Sequence, residues 1–209
     1  MRSECKGKLI EIATPLFATK GFAGVSVRDV TDAAAMNVSA VSYHFNGKGG
    51  LYQAVLEEQF VPIRQALNSA QSEELTSPIE RLSFYAEQVF HIHAARPFLV
   101  RFMMAEVNNP TDYGREVIEK HLSQVYRFVL AALQEGIDGG SLRSEVDITY
   151  AAIAFVGILN FYFISKPLVS KLTPLPSGIN SEYAKQALQI YLYGIAHNRP
   201  ESVPAAVSR

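Results

Sequence analysis

The sequence predicts an all-α protein of about nine helices, with a small N-terminal domain of three helices and a larger helical domain after it. The first observation is that apolar residues recur at spacings of three and four, as they do along one face of a helix. The second is that glycine, proline and asparagine separate these periodic segments, and no segment shows the alternation typical of a strand. A hydrophobic content of 48% is sufficient to build a core.

The composition limits the classes of function that the chain can have. The formal net charge is −1, so any contact with nucleic acid has to be local rather than spread over the whole surface. The first 56 residues contain six Lys and Arg against four Asp and Glu, which is a mild positive bias. Cys5 is the only cysteine, and this excludes an intrachain disulfide and a cysteine-based zinc site. We expect no metal and no cofactor.

The first two helices are predicted from their ends. The first contains Leu9 and Phe17 on its apolar face and ends at Lys20 before a glycine, while Pro15 predicts a kink or a late start. Ser26 and Asp29 have the spacing of a capping box, so the second helix should begin just after Ser26 and continue to about residue 35.

The third helix is predicted to begin after Asn37, which is a good N-cap, and to end at Asn46 and Gly47. Val38, Val41 and Phe45 should face inward. Three short helices within about 45 residues, with a turn of three or four residues between the second and third, match helix-turn-helix geometry. In that geometry the third helix enters the major groove of double-stranded DNA.

Lys48 stands where the fourth helix should start. A helix N-terminus disfavours a cation, and the neighbouring residues Gly47, Gly49 and Gly50 should leave their backbone amides accessible. We therefore expect an anion site here, formed by Lys48 and these amides and occupied by a DNA phosphate.

The remaining helices follow from the same periodicity. They are predicted over residues 48–68 with a bend at Pro62, 78–96, 97–107, 112–136, 147 to just before Pro167, and 181–196 with Ser181 as a cap. The most apolar stretch, 150–164, is shorter than the roughly 20 residues of a membrane span, so we expect a buried helix, no membrane contact and a cytoplasmic protein. The tail over 198–209 is predicted to be disordered.

The N-terminal part resembles the tetracycline-repressor family of regulators. The resemblance rests on several elements in the right order, namely Leu16-Phe17, Lys20-Gly21-Phe22, Val25 to Val30, Ala33-Ala34, Ser42 to Phe45, and Lys48 with Leu51-Tyr52. It implies an all-helical homodimer that binds a palindromic operator and is usually released by a small-molecule effector.

The resemblance also implies which side chains contact DNA. These are Ser26, Arg28, Val38, Ser39, Ala40, Ser42, Tyr43, His44 and Lys48. Three positions depart from the family pattern: Ala35 stands where the turn usually has glycine, Ser42 where tyrosine is common, and Gly49 where an acid is common. Because that tyrosine is missing, the operator cannot be inferred from better-known members.

The larger domain gives weaker signals. The family implies an effector pocket among its middle helices, and we expect His91, Phe98, Phe102, Tyr126 and Phe155 to line it. The last two helices are apolar around much of their circumference, so the resemblance implies a four-helix interface with a second copy, in which Gly157 permits close approach. Burial within one subunit is the alternative.

These observations predict a helix-turn-helix DNA-binding domain over 1–55 and a ligand-binding and dimerisation domain over 56–197. The function predicted is a sequence-specific transcriptional regulator, in the form of a repressor released by a mostly apolar ligand. The alternative is a helical binding protein for hydrophobic molecules with a vestigial DNA-binding domain. No nucleophilic triad, phosphate loop or paired carboxylates occur, so an enzyme, such as a hydrolase using His91 or His93, is not supported.

Overall fold

The computed structural model describes residues 2–72, 74–174 and 179–196, and within these ranges the chain forms nine α-helices and no strand. The helices are α1 (Arg2–Lys20), α2 (Val27–Ala34), α3 (Ser39–Phe45), α4 (Lys48–Ala70), α5 (Pro78–Ala95), α6 (Leu99–Asn108), α7 (Arg115–Asp138), α8 (Ile148–Leu172) and α9 (Ile179–Ile195). The predicted all-α class is confirmed. The predicted tail over 198–209 and the capping side chain of Ser181 lie outside what the structure describes.

The largest differences from the predicted boundaries occur at prolines. α1 begins at Arg2 and passes through Pro15, and α8 passes through Pro167. A proline removes one backbone hydrogen bond from a helix at a cost of about 3 kcal/mol. In α1 the residues on both sides of the proline, Ala13 and Phe17, are buried, and this packing offsets the lost bond.

The length predicted for the most apolar helix was wrong. α8 has 25 residues, and its most apolar 18-residue window has a mean hydropathy of 1.8, so by length and composition it could cross a membrane. One side of α8 is buried in the protein through Ala152, Phe155 and Leu159. The helix therefore has a core face and a second apolar face, which is described below.

The helices pack as two compact units. The first contains the chain as far as Val61 together with Arg96–Leu122, and the second contains Pro62–Ala95 and the described residues from Ser123 onward. The division differs from the predicted linear boundary after residue 55, because α6 and the first turns of α7 contribute Phe102 and Val117 to the core of the N-terminal helices. A sequence read in chain order cannot show this packing.

The core of the first unit surrounds an aromatic group. Phe17 of α1 and Tyr52 of α4 meet edge to face with ring centroids 5.0 Å apart, and Phe22 from the loop after α1 lies 5.0 Å from Tyr52. The apolar side chains that complete this core are Leu9, Ala13, Val25, Val30, Ala34, Val41, Phe45, Leu51, Val55 and Leu56. The three N-terminal helices are thus held on the first half of α4.

The second unit is built mainly on contacts among α5, α8 and α9. The fully buried ring of Phe155 lies 5.2 Å from the ring of Tyr191, whose hydroxyl donates to the Ala151 carbonyl at 2.9 Å. Burial raises the pKa of Tyr191, because the charged phenolate would lose its hydration. These bonds fix α9 against α8.

Candidate nucleic-acid interface

The start of α2 carries Ser26 and Arg28, two of the predicted DNA contacts. The Asp29 amide donates to Ser26 Oγ at 3.1 Å, and the Ser26 amide donates to the Asp29 carboxylate at 2.7 Å, which confirms the predicted capping box. The hydrogen bonds from the Ser26 amide and then the Ser26 hydroxyl lower the pKa of Asp29. The Ser26 side chain therefore already caps α2. The Arg28 side chain is exposed.

The third helix is held by one face and presents the other. Asn37 Oδ1 accepts a hydrogen bond from the Ser39 amide at 2.9 Å, so the Asn37 side chain satisfies the first amide of α3, although Val38 rather than the predicted Asn37 occupies the cap position. Val41 and Phe45 are buried in the core of the first unit. Val38 is 44% exposed, so the prediction that it faces inward was wrong, because α3 begins at Ser39 and Val38 precedes its first turn.

The outward side of α3 is solvent-accessible along its length. Ser39 and Ser42 are exposed, Tyr43 is 66% exposed, and Ala40 and His44 are half-buried. The Tyr43 and His44 rings meet edge to face with centroids 4.9 Å apart. Small residues at one end of the helix and hydrogen-bonding rings at the other are a surface that a DNA groove can accept.

Lys48 occupies a position different from the one expected of a simple phosphate ligand. Its Nζ donates to the Phe22 carbonyl at 2.9 Å and to the Val25 carbonyl at 2.9 Å, and it lies 4.3 Å from the centroid of the Phe22 ring. The lysine thereby ties the start of α4 to the loop that precedes α2. An ammonium has three N–H donors, so these bonds leave one for a phosphate.

The glycines beside Lys48 are less accessible than predicted. Gly49 is buried, and a Cβ built on it would stand 2.2 Å from the ring of Tyr113, whose centroid is 5.3 Å from that of Phe22. A Cβ on Gly50 would meet the Phe45 carbonyl at 1.8 Å. These glycines allow close packing of neighbouring segments, which explains the absence of the family's acid at Gly49.

Sequence reasoning missed a buried carboxylate in the first unit. Glu106 of α6 is 3% exposed and accepts hydrogen bonds from the Tyr52 hydroxyl at 2.7 Å and the Thr111 amide at 2.8 Å. Burial, and then the bond to Glu106, raises the pKa of Tyr52. The network fixes α6 and the loop after it to α4. No local sequence pattern indicates the network, because Tyr52 is 54 residues from Glu106.

The five residues predicted to line an effector pocket are placed in both compact units. Phe98 is half-buried and Phe102 is buried in the first unit, where both pack against its core. In the second unit His91 is exposed, Tyr126 is half-buried and Phe155 is fully buried. Neither unit brings the five together, because helical periodicity marks residues that fill a core and does not distinguish those that line a cavity.

Two family models match the chain. One, for bacterial regulatory proteins of the tetR family, covers residues 9–55, and the other, for a tetracyclin repressor-like C-terminal domain, covers residues 75–163. The Bacillus subtilis protein named "Probable HTH-type transcriptional regulator YttP" is 32% identical over 138 residues, which are 65% of this chain and 66% of that relative. The HTH-type transcriptional repressor KstR2 of Rhodococcus jostii is 26% identical over 204 residues, 94% of this chain and 95% of that relative.

A solved structure shows the same fold at low sequence identity. The transcriptional regulator FadR from Bacillus subtilis, in complex with stearoyl-CoA, matches this chain with a TM-score of 0.73 at 16% sequence identity, and the match covers 90% of this chain and 98% of that one. The capped α2, the exposed outer side of α3 and the two matched models converge on one conclusion: the chain belongs to the tetR family of bacterial regulatory proteins and is a DNA-binding transcriptional regulator.

Proposed function

We propose that the protein binds a palindromic operator as a homodimer through the outer side of α3 and is released from it by a small effector. The observation that carries the DNA contact is the accessibility of that side, from Val38 at 44% to Tyr43 at 66% exposed, while the opposite side is buried. Arg28 at the start of α2 is exposed and supplies a cation for a phosphate.

Two variants distinguish a contact to the DNA phosphate backbone from a contact that selects the base sequence. Arg28→Ala should weaken binding to all sequences alike and reduce the slope of log affinity against log salt by about 0.9 for one lost phosphate contact. Tyr43→Ala should change the preferred sequence, as measured by selecting bound fragments from random DNA. Arg101→Ala, at an exposed arginine of α6, is the control. Unchanged salt dependence and unchanged preference in both variants would refute the proposed interface.

The second apolar face of α8 supports dimerisation. Its exposed side chains lie on one stripe with Gly157, at which a Cβ would meet nothing within 4 Å, and exposed residues of α9 extend the surface. The exposed apolar residues are Tyr150, Ile153, Phe161, Ile164, Leu168 and Leu172 of α8 and Ile190 and Tyr193 of α9. Monomeric soluble proteins rarely leave such a contiguous surface uncovered. A second copy covers it with an identical stripe, which is the arrangement of a two-fold interface.

Sedimentation tests this interface. The protein should sediment with twice its chain mass of 23.1 kDa, and Phe161→Glu should reduce it to the monomer. Val107→Glu, at an apolar α6 residue that is 54% exposed, should leave the mass unchanged. A monomeric wild-type protein that binds phospholipid vesicles would instead assign the stripe to a membrane, in line with the length of α8, and would contradict a freely cytoplasmic dimer.

The effector is proposed to be mostly apolar. Two structures of similar fold hold acyl thioesters of coenzyme A, namely stearoyl-CoA in FadR and isovaleryl coenzyme A in AibR with operator DNA, and in these ligands the acyl chain is apolar while the coenzyme A part is anionic. An effector that binds the free protein more tightly than the DNA-bound protein lowers DNA affinity by the same factor. Release of retarded DNA by an added compound measures this coupling directly. We propose a regulatory role without catalysis, since the relatives are regulators.

A further inference from the structure

A cavity of about 420 Å³ opens in the second unit between the second half of α4 and the middle of α7. Small-molecule sites commonly have volumes of roughly 300 to 1,000 Å³, so this space can hold a ligand of modest size. The lining residues are Arg64, Leu67, Asn68, Gln71, Gln124, Arg127 and Phe128. None of the five pocket residues predicted from the sequence is among them.

The lining carries a concentrated positive charge. Arg64 and Arg127 come from different helices, and no acidic residue occurs among the described lining residues. Arg127 Nε donates to the Ser123 carbonyl at 3.2 Å, a bond within its own helix that uses one of the five guanidinium donors. Guanidinium groups bind carboxylate and phosphate oxygens through paired N–H donors. The charge therefore favours an anion in the cavity.

Gln124 provides an independent indication of a ligand. Its Oε1 atom is buried and has no hydrogen-bond partner among the described residues. Buried carbonyl oxygens nearly always accept a hydrogen bond, because leaving one without a donor forfeits its hydration. A hydroxyl or amide N–H on a ligand would supply the missing donor.

The remaining wall is partly polar, with Asn68 and Gln71, and partly apolar. Leu67 and Phe128 are both buried side chains that line the cavity. A purely ionic ligand would leave this wall in contact with water, whereas a hydrocarbon chain would cover it. The lining thus combines two cations, an unsatisfied acceptor and an apolar surface.

We propose that this cavity binds the head of an anionic amphipathic molecule, with a carboxylate or phosphate between Arg64 and Arg127, a hydrogen-bond donor on Gln124 and a carbon chain against Leu67 and Phe128. The proposal rests on the proposed ligand-responsive function and narrows its effector from a mostly apolar molecule to one that carries an anionic group. Octanoate and octyl phosphate represent the two sources of the anion, and octanol is the neutral control.

Calorimetric titration of the full-length protein, without DNA, tests the class of ligand. At least one of the two anions should bind saturably and at least about tenfold more tightly than octanol, since charge-assisted hydrogen bonds are lost with the neutral head. If octanoate binds more tightly than octyl phosphate, the anionic group is a carboxylate, and in the opposite case it is a phosphate. Arg127→Gln should weaken that anion about tenfold, and Arg64→Gln serves as a second variant. Arg101→Gln, which removes the same charge from an exposed side chain of α6, should bind like the wild type.

A second comparison tests the role of Gln124. The 2-hydroxy derivative of octanoate should bind the wild type more tightly than octanoate does, and Gln124→Leu should abolish this difference. Absence of saturable anion binding, or equal affinity in the wild type and both arginine variants, would overturn the proposal. Retardation of selected DNA by the ligand-free protein is measured separately, so failure of the cavity proposal is distinguished from failure of the proposed DNA-binding function.

Discussion

Replacing Lys48 with methionine keeps the length of the side chain and removes its ammonium. The wild-type Nζ donates to two carbonyls, each at 2.9 Å, and stands over the Phe22 ring. Hydrogen bonds from a charged donor contribute about 1.5–3 kcal/mol when buried, and the half-buried position of Lys48 reduces each to about 1 kcal/mol. A cation–π contact at a partly exposed site adds about 0.5 kcal/mol. Together these contributions predict that Lys48→Met lowers the free energy of unfolding by about 2.5 kcal/mol.

Urea unfolding followed by far-UV circular dichroism measures this loss, with Lys8→Met, at an exposed lysine of α1, as the control. DNA affinity as a function of salt then separates the two roles of Lys48. A lost phosphate contact reduces the salt slope by about 0.9, whereas a purely structural role leaves the slope unchanged. If Lys48→Met is no less stable than Lys8→Met, the reasoning that makes Lys48 a brace for the loop before α2 is refuted.

Three further predictions concern stability. Ala35 has φ 52°, a left-handed conformation that costs a non-glycine residue about 1 kcal/mol, so Ala35→Gly should raise the urea midpoint while Ala33→Gly, inside α2, should lower it. Tyr52→Phe leaves the buried Glu106 carboxylate without its 2.7 Å donor and should cost about 1–3 kcal/mol in the same assay. Burial lowers the pKa of His93 below 6.5, so the unfolded chain binds its proton more readily. The unfolding free energy should therefore fall as the pH drops below about 6.5, and His93→Gln should flatten that decline, with a parallel decline in both proteins contradicting the assignment.

Features set by a few neighbouring residues were predictable from the sequence. The capping box of Ser26 and Asp29 and the cap of Asp147, whose Oδ1 accepts from the Thr149 amide at 2.8 Å, each depend on residues two or three positions apart. Such bonds satisfy backbone donors that every helix start leaves free, so the residue types alone indicate them. The order of the nine helices followed from these ends and from the apolar spacing between them.

Features that depend on distant residues were not predictable. Lys48 bonds to carbonyls of Phe22 and Val25, and backbone acceptors have no residue type by which a sequence could mark them. Gly49 was interpreted as an accessible amide, whereas the ring of Tyr113 covers it. The same pattern, a lysine among glycines, thus fits a phosphate site and a packed junction equally well until the neighbouring loop is placed.

The predicted effector pocket stays a prediction, and the sequence could not locate a cavity for a related reason. The resemblance implied a pocket among the middle helices, and the five residues named for it are aromatic. Phe102 and Phe155 are fully buried in cores, where close packing leaves little surface for a ligand. The residues that do line a cavity, such as Arg64 and Arg127, are polar and in sequence resemble any solvated helix face. A cavity lies between helices, so the residues that line it, and therefore its polarity, are known only once the packing of those helices is known.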